Sequence, residues 1–151
     1  MSERLSSLVQ VGISVSDVRA TAAALSQLFA IDDWRFVSWS AEDHPTIKSS
    51  HRGHPNPEWK GELGFAKLGA IEIELIQDVA GVSTYRESVE RAGFGIRHIM
   101  FEVTNLADAI TLAGQHGISV STQTSTVDDG VTWAVLDTAS RFGFDVEVKM
   151  K

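Results

Sequence analysis

Four side chains able to bind a divalent cation recur at matching places in two similar stretches of this sequence. Residues 10–31 (QVGISVSDVRATAAALSQLFAI) align with 98–118 (HIMFEVTNLADAITLAGQHGI), so Gln10 falls on His98, Val15 on Val103, Asp17 on Asn105 and Gln27 on Gln115. IEIELIQ at 71–77 aligns with FDVEVKM at 144–150 and places Glu74 on Glu147. The offsets are 88 (98 − 10) and 73 (147 − 74), so the second copy is about 15 residues shorter, a difference that falls near segment 41–60. Two similar halves would bring Gln10, Glu74, His98 and Glu147 to equivalent positions about a pseudo-twofold axis. One imidazole, two carboxylates and an amide oxygen, in a chain without cysteine, suit Zn²⁺, Co²⁺, Ni²⁺ or Mn²⁺.

Periodicity and capping residues predict the elements that must position these groups. Strands are expected at 8–15, 33–40, 62–68 and 71–77, and again at 96–103, 118–125, 131–137 and 143–149. Helices are expected at 18–29, behind Ser16 and Asp17 as N-cap candidates, and at about 105–116, behind Thr104 or Asn105. A short helix opens at Ser83, Thr84 and Glu87, with Thr84 and Glu87 spaced as a capping box, and closes at Gly93. Gly69 and Ala70 make one hairpin turn; Asp129 and Gly130 make another. The pattern is α+β, with two βαβββ modules at about 8–80 and 95–150 packed as one domain over 1–151. Segment 41–60 holds all three prolines and three of the five histidines. It reads as a long loop, with His44, His51 and His54 solvent-exposed upon it.

Strand alternation says which way the unusual residues face. Val9, Val11, Ile13 and Val15 oppose Gln10, Gly12 and Ser14; Ile99, Phe101 and Val103 oppose His98, Met100 and Glu102. Ile71, Ile73 and Leu75 oppose Glu72 and Glu74, and Phe144, Val146 and Val148 oppose Asp145, Glu147 and Lys149. The apolar faces should bury under the helices. A single strand with one polar face is ordinarily just solvated there, but four such strands at repeat-equivalent positions favour a polar cavity. Gly12, Ser14 and Met100 share the ligand face and are expected to line it, and Phe94, between two glycines, to sit at its mouth. Trp34, Trp39, Trp59 and Trp133 could wall the cavity or pack elsewhere, and Arg97 should point to the opposite face.

Composition excludes several classes. A net charge of −7 over 151 residues argues against nonspecific nucleic-acid binding, which rests on cationic contacts to phosphate. No apolar run reaches membrane-spanning length, and MSERLSSLVQ lacks a signal-peptide core. Without cysteine there is no disulfide and no thiol nucleophile. A cytoplasmic location is the expectation.

The segments VQVGISVSDV, IEIELIQDVAGVSTYRESVERAGFGIRHIMFEV and FGFDVEVK resemble the vicinal oxygen chelate superfamily, which groups glyoxalases, bleomycin resistance proteins and extradiol dioxygenases. The likeness covers nearly the whole chain except segment 41–60. It implies two βαβββ modules forming a cupped mixed sheet around a metal site, with one divalent ion bound by the first and last strands of each module. Carried onto this chain, those ligand positions are Gln10, Glu74, His98 and Glu147. This set is similar to that of eukaryotic-type glyoxalase I, whereas STYRESVERAGFGIRHIMFEV looks like methylmalonyl-CoA epimerases, whose usual first and second ligands are His and Gln.

Both subfamilies imply the same chemistry: a metal ion binds two oxygens of a carbonyl substrate, acidifies the adjacent C–H and stabilises an enediolate. The expected enzyme is therefore a metal-dependent isomerase or epimerase acting on a small carbonyl or acyl-thioester substrate, with Glu147 as base and Glu74 as ligand and possible second base. The alternatives are a glyoxalase I-like lactoylglutathione lyase and a non-catalytic small-molecule-binding or resistance protein. Against the lyase, the positions that hold glutathione carboxylates fall near Ser14 and Asp78, which cannot make those contacts. A homodimer is also implied.

Overall fold

Alternation and caps act locally much as predicted. In a computed structural model, which describes residues 4–40, 43–44, 47–55, 58–126 and 132–151, the chain runs β1 (Ser7–Ser14), α1 (Val18–Leu28), β2 (Arg35–Ser40), β3 (Ile47–His51), β4 (His54–Pro55), β5 (Lys60–Leu68) and β6 (Ile71–Ala80). It continues α2 (Thr84–Ala92), β7 (Gly95–Val103), α3 (Leu106–Gln115), β8 (Val120–Thr126), β9 (Thr132–Leu136), α4 (Ala139–Phe142) and β10 (Asp145–Met150). Asp17 caps α1 by accepting from the Ala20 N–H at 2.9 Å, and Asn105 caps α3 by accepting from the Asp108 N–H at 3.2 Å. At α2 the cap is Ser83, which accepts from the Arg86 N–H at 3.0 Å. Thr84 and Glu87 form no capping box: Thr84 donates to Asp145, and Glu87 is taken by His51 and Arg52. The turn expected at Asp129 and Gly130 lies outside the described residues.

All ten strands join one mixed sheet in the order β2-β5-β6-β1-β7-β10-β9-β8-β3-β4. Chain connectivity forces it to curl. β2 and β3 stand eight strand spacings apart, roughly 38 Å across a flat sheet at about 4.8 Å each. Yet Ser40 and Ile47 are joined by seven Cα steps, which reach about 25 Å at most. The sheet is accordingly curled but not closed, and its concave face forms a cup.

Segment 41–60 corrects the loop expectation. β3 pairs antiparallel with β8, from Ile47 opposite Thr126 to His51 opposite Thr122. Its proline and histidine content signals a loop, but main-chain pairing to an open sheet edge needs no particular side chains. The turn between His51 and His54 has positive φ at Arg52 (45°) and Gly53 (80°), as a two-residue hairpin with the twist of its strands requires. Arg52 is held there by Glu87 at 2.9 Å and Asp137 at 3.0 Å.

Two separate cores lie on the convex face. Under α1, Val18 and Ala22 pack on Val15 and Leu75, with Ile13, Ile73 and Trp34 around them. Under α3, Leu106, Ala109 and Ala113 pack on Ala134, Leu136, Val146 and Val148. Full burial of a side chain such as Leu75 or Val148, both wholly inaccessible, is worth about 1.5–3 kcal/mol. The concave face thereby carries the polar candidate ligands, together with apolar and aromatic side chains. Among the described residues no helix is long and apolar enough to cross a membrane.

Candidate active site

Register places the four candidate ligands on the four central strands. Gln10 stands opposite Glu72 on β6 and Met100 on β7, and Met100 opposite Glu147 on β10. In the next row Gly12 stands between Glu74 and His98. The residue between them must be small, because a Cβ on Gly12 would fall inside the His98 imidazole. The ring can therefore lie across β1 and reach Glu74 on the strand beyond. Gly12, expected to line the pocket, serves instead as the bed of His98; a glycine within a strand often marks such a close approach.

His98, only 2% exposed, donates from Nε2 to Gln10 Oε1 at 3.0 Å, with Glu74 Oε2 at 3.2 Å and Glu147 Oε2 at 3.6 Å. Gln10 in turn donates from Nε2 to Glu72 Oε1 at 2.7 Å. Burial alone would lower the His98 pKa, but the Glu147 and Glu74 carboxylates outweigh it and raise it to about 9. For Glu147, burial raises the pKa to about 7, His98 opposing and Glu74 assisting. Glu147 Oε2 and His98 Nδ1 are buried with no hydrogen-bond partner.

This donor set suits a divalent ion in chemistry and spacing. Donors about 2.1 Å from an ion stand roughly 3.0–3.4 Å apart, close to the separations around His98 Nε2. A ready cage is another matter. Among the described residues no three His, Cys, Asp or Glu side chains stand as a metal-holding group. The amide of Gln10 must complete the set, and Glu147 Oε2 must close in from 3.6 Å.

The cup encloses a cavity of about 610 Å³, within the usual range for small-molecule sites. Gln10, Glu74, Glu147 and Met100 line it, as do Trp39, Trp59 and Trp133. Trp34 instead packs in the first core. Ser14, also expected in the lining, is buried with no partner for its hydroxyl, and Phe94 is 59% exposed; neither lines the cavity. Arg97 is buried away from it and donates to the Gly93 carbonyl.

Other lining residues escaped the sequence reading. His51, expected on a loop surface, is 2% exposed and bonds Thr122 at 2.8 Å and Glu87 at 2.7 Å. His44 lines the cavity stacked on Trp39, 4.1 Å between ring centroids. Glu72 and Lys149 were readable as sharing the ligand face. Tyr85 had one signal: it is the only tyrosine in the chain.

The profile of the Glyoxalase/Bleomycin resistance protein/Dioxygenase superfamily matches residues 9–135. No curated protein matches the chain by sequence. Among solved structures, methylmalonyl-CoA epimerase from Mycobacterium tuberculosis superposes with a TM-score of 0.66 at 14% identity, covering 99% of this chain and 91% of its own. A Streptomyces coelicolor methylmalonyl-CoA epimerase variant in complex with 2-nitronate-propionyl-CoA gives 0.65 at 17% identity, covering 98% and 96%. A hypothetical protein from Bacillus halodurans C-125 gives 0.62 at 18% identity, covering 95% and 93%. At such identities the likeness shows the fold.

Proposed function

We propose that this chain, which belongs to the Glyoxalase/Bleomycin resistance protein/Dioxygenase superfamily, is an enzyme that moves a proton at the carbon beside a carbonyl. Its reaction is an epimerisation or isomerisation of a small carbonyl or acyl-thioester substrate. One observation carries this reading. Glu147 lines the cavity, its Oε2 lies buried without a hydrogen-bond partner, and burial raises its pKa to about 7. A carboxyl group that exchanges its proton near neutral pH is matched to abstract and return one. Glu74 lies on the other side of His98 and serves as ligand and as the second base if both faces of the carbon react.

Gln10, Glu74, His98 and Glu147 would hold one divalent ion, Zn²⁺, Co²⁺, Ni²⁺ or Mn²⁺. When bound, it supplies Lewis acidity toward the substrate's oxygens. The cavity walls exclude water around the reacting carbon, and Met100 and the three tryptophans supply apolar contact. The protein acts in the cytoplasm as a homodimer, binding neither nucleic acid nor membrane.

The test is exchange of the α-hydrogen with solvent deuterium over a panel of 2-oxo acids, acyl-CoA thioesters and hemithioacetals, with each divalent ion added. Glu147→Gln should keep an oxygen donor yet lower exchange by about 10² or more. Full turnover in that variant, or turnover without exchange in the wild type, defeats the reading. A second reading, a small-molecule-binding or resistance protein, is favoured by donors already bonded to one another and by aromatic cavity walls. It predicts tight binding with no exchange. A glutathione-dependent lyase has less support, because Asp78 is tied to Arg86 at 2.6 Å and Trp59 at 2.8 Å.

A further inference from the structure

We propose that Tyr85 binds the cavity's ligand, donating its phenolic hydrogen to an acceptor oxygen of the bound molecule. The proposal rests on the reading above only in taking the ligand to be a small oxygen-bearing molecule.

Tyr85 is held as a binding residue must be. It sits in the first turn of α2, and its neighbours in that turn are fastened to three different strands. Thr84 donates to Asp145 of β10 at 3.2 Å, Arg86 pairs with Asp78 of β6 at 2.6 Å, and Glu87 accepts from His51 of β3 at 2.7 Å. The Tyr85 ring lies between Trp59, at 5.2 Å, and His98, at 6.2 Å between centroids, and it lines the cavity. Trp59 is itself fixed through Asp78. A side chain so bracketed keeps one orientation whether or not a ligand is present, which reduces the entropy lost on binding.

Its hydroxyl is unspent, whereas several polar neighbours in the lining are already bonded. Ser49 bonds Thr124, His51 bonds Thr122 and Glu87, Gln10 bonds Glu72, and Trp59 bonds Asp78. The Tyr85 hydroxyl has no partner among the described residues, and it is not sealed from the cavity as the buried unpartnered atoms are. An ordinary phenol, with a pKa of about 10, is protonated at neutral pH and can donate. The carboxylates that dominate this end of the cavity repel a ligand oxygen; the phenol attracts one.

Oxalate, a flat vicinal dioxygen anion, is the probe. It is titrated into wild type and Tyr85→Phe with Mn²⁺ or Zn²⁺ present, binding followed by calorimetry. In parallel, labelling tyrosine with ¹³C at Cζ alone gives the wild type a single signal, since the chain has one tyrosine. Oxalate should shift that signal, and Tyr85→Phe should weaken binding about tenfold or more, the worth of a hydrogen bond to a charged acceptor. Metal content and melting temperature of the variant should stay near wild type. Equal affinities, an unmoved tyrosine signal, or no oxalate binding by the wild type would each overturn the proposal. Loss of deuterium exchange alone, with oxalate still sensed by Tyr85, would defeat the proposed reaction and leave this assignment standing.

Discussion

Raising the pH of the metal-free protein from 6.5 to 9 should destabilise it, because the folded state holds protons the unfolded chain releases. The His98 pKa rises from 6.5 to about 9 on folding. A group raised in this way stabilises fully below its unfolded value and loses that contribution as pH climbs through the folded one. The span of 2.5 units, at 1.36 kcal/mol each, is worth about 3 kcal/mol. Glu147, raised from 4.5 to about 7, acts in the same direction over the lower window. The two face each other at 3.6 Å, so their contributions overlap rather than add. For a chain of this size about 3 kcal/mol is roughly 6–12 °C in Tm. The assay is thermal unfolding in chelator across pH 6.5–9, for wild type and His98→Gln. A flat or rising Tm in the wild type, or the same slope in both proteins, would refute the reasoning. With a divalent ion bound the slope should reverse, since the ion competes with the His98 proton and binds better as pH rises.

Gly12→Ala should destabilise by about 1–3 kcal/mol and weaken divalent-ion binding, because its methyl group occupies the space of the His98 ring; chemical denaturation and metal titration check both. His98→Ala should reduce ion affinity most among the four candidate ligands, measured by elemental analysis after dialysis, and full retention would remove it from the ligand set. Glu87→Ala should cost about 1–3 kcal/mol by leaving buried His51 without its acceptor. Since burial, which raises the Glu87 pKa, is outweighed by Arg52 and His51, which lower it, the wild type should lose this contribution as pH falls below about 4.5, and the variant should lack that acid dependence. Sedimentation at micromolar concentration should show a homodimer; a monomer would refute that expectation.

What the sequence made legible was whatever depends on local spacing. The alternation that sets Gln10 against Val9 and Val11, the caps at Asp17 and Asn105, and the repeat offset that pairs Glu74 with Glu147 are all local or translational regularities. They were enough to predict the elements other than β3, β4 and α4, and to name the four donors that stand together around His98. Contacts decided by the curl of the sheet were not legible. His51 lies in a proline-containing segment and pairs with Thr122, 71 residues away, for reasons of edge availability. Gly12 shares a face with Gln10 and reads as lining, but its part is set by how far the ring of His98 leans. The Glu147 proton depends on burial, and burial depends on walls drawn from both halves.

The difference of about 15 residues between the two copies makes the two sides of the cup unlike. A site built by an exact repeat would offer a ligand the same groups on either side of its axis, and two orientations would bind alike. Here the longer copy sends β3 across the opening to the far edge of the sheet, where it pairs with β8 and has no counterpart in the shorter copy. Ser49 and His51, together with Thr122 and Thr124 of β8, make one wall rich in hydrogen-bonding groups, whereas Val37, Leu63 and Phe65 line the cavity from β2 and β5. The repeat thus supplies the paired acids that the proposed two-faced proton transfer would need, and the insertion makes the two sides of the cavity chemically different, as a preference for one ligand orientation would need.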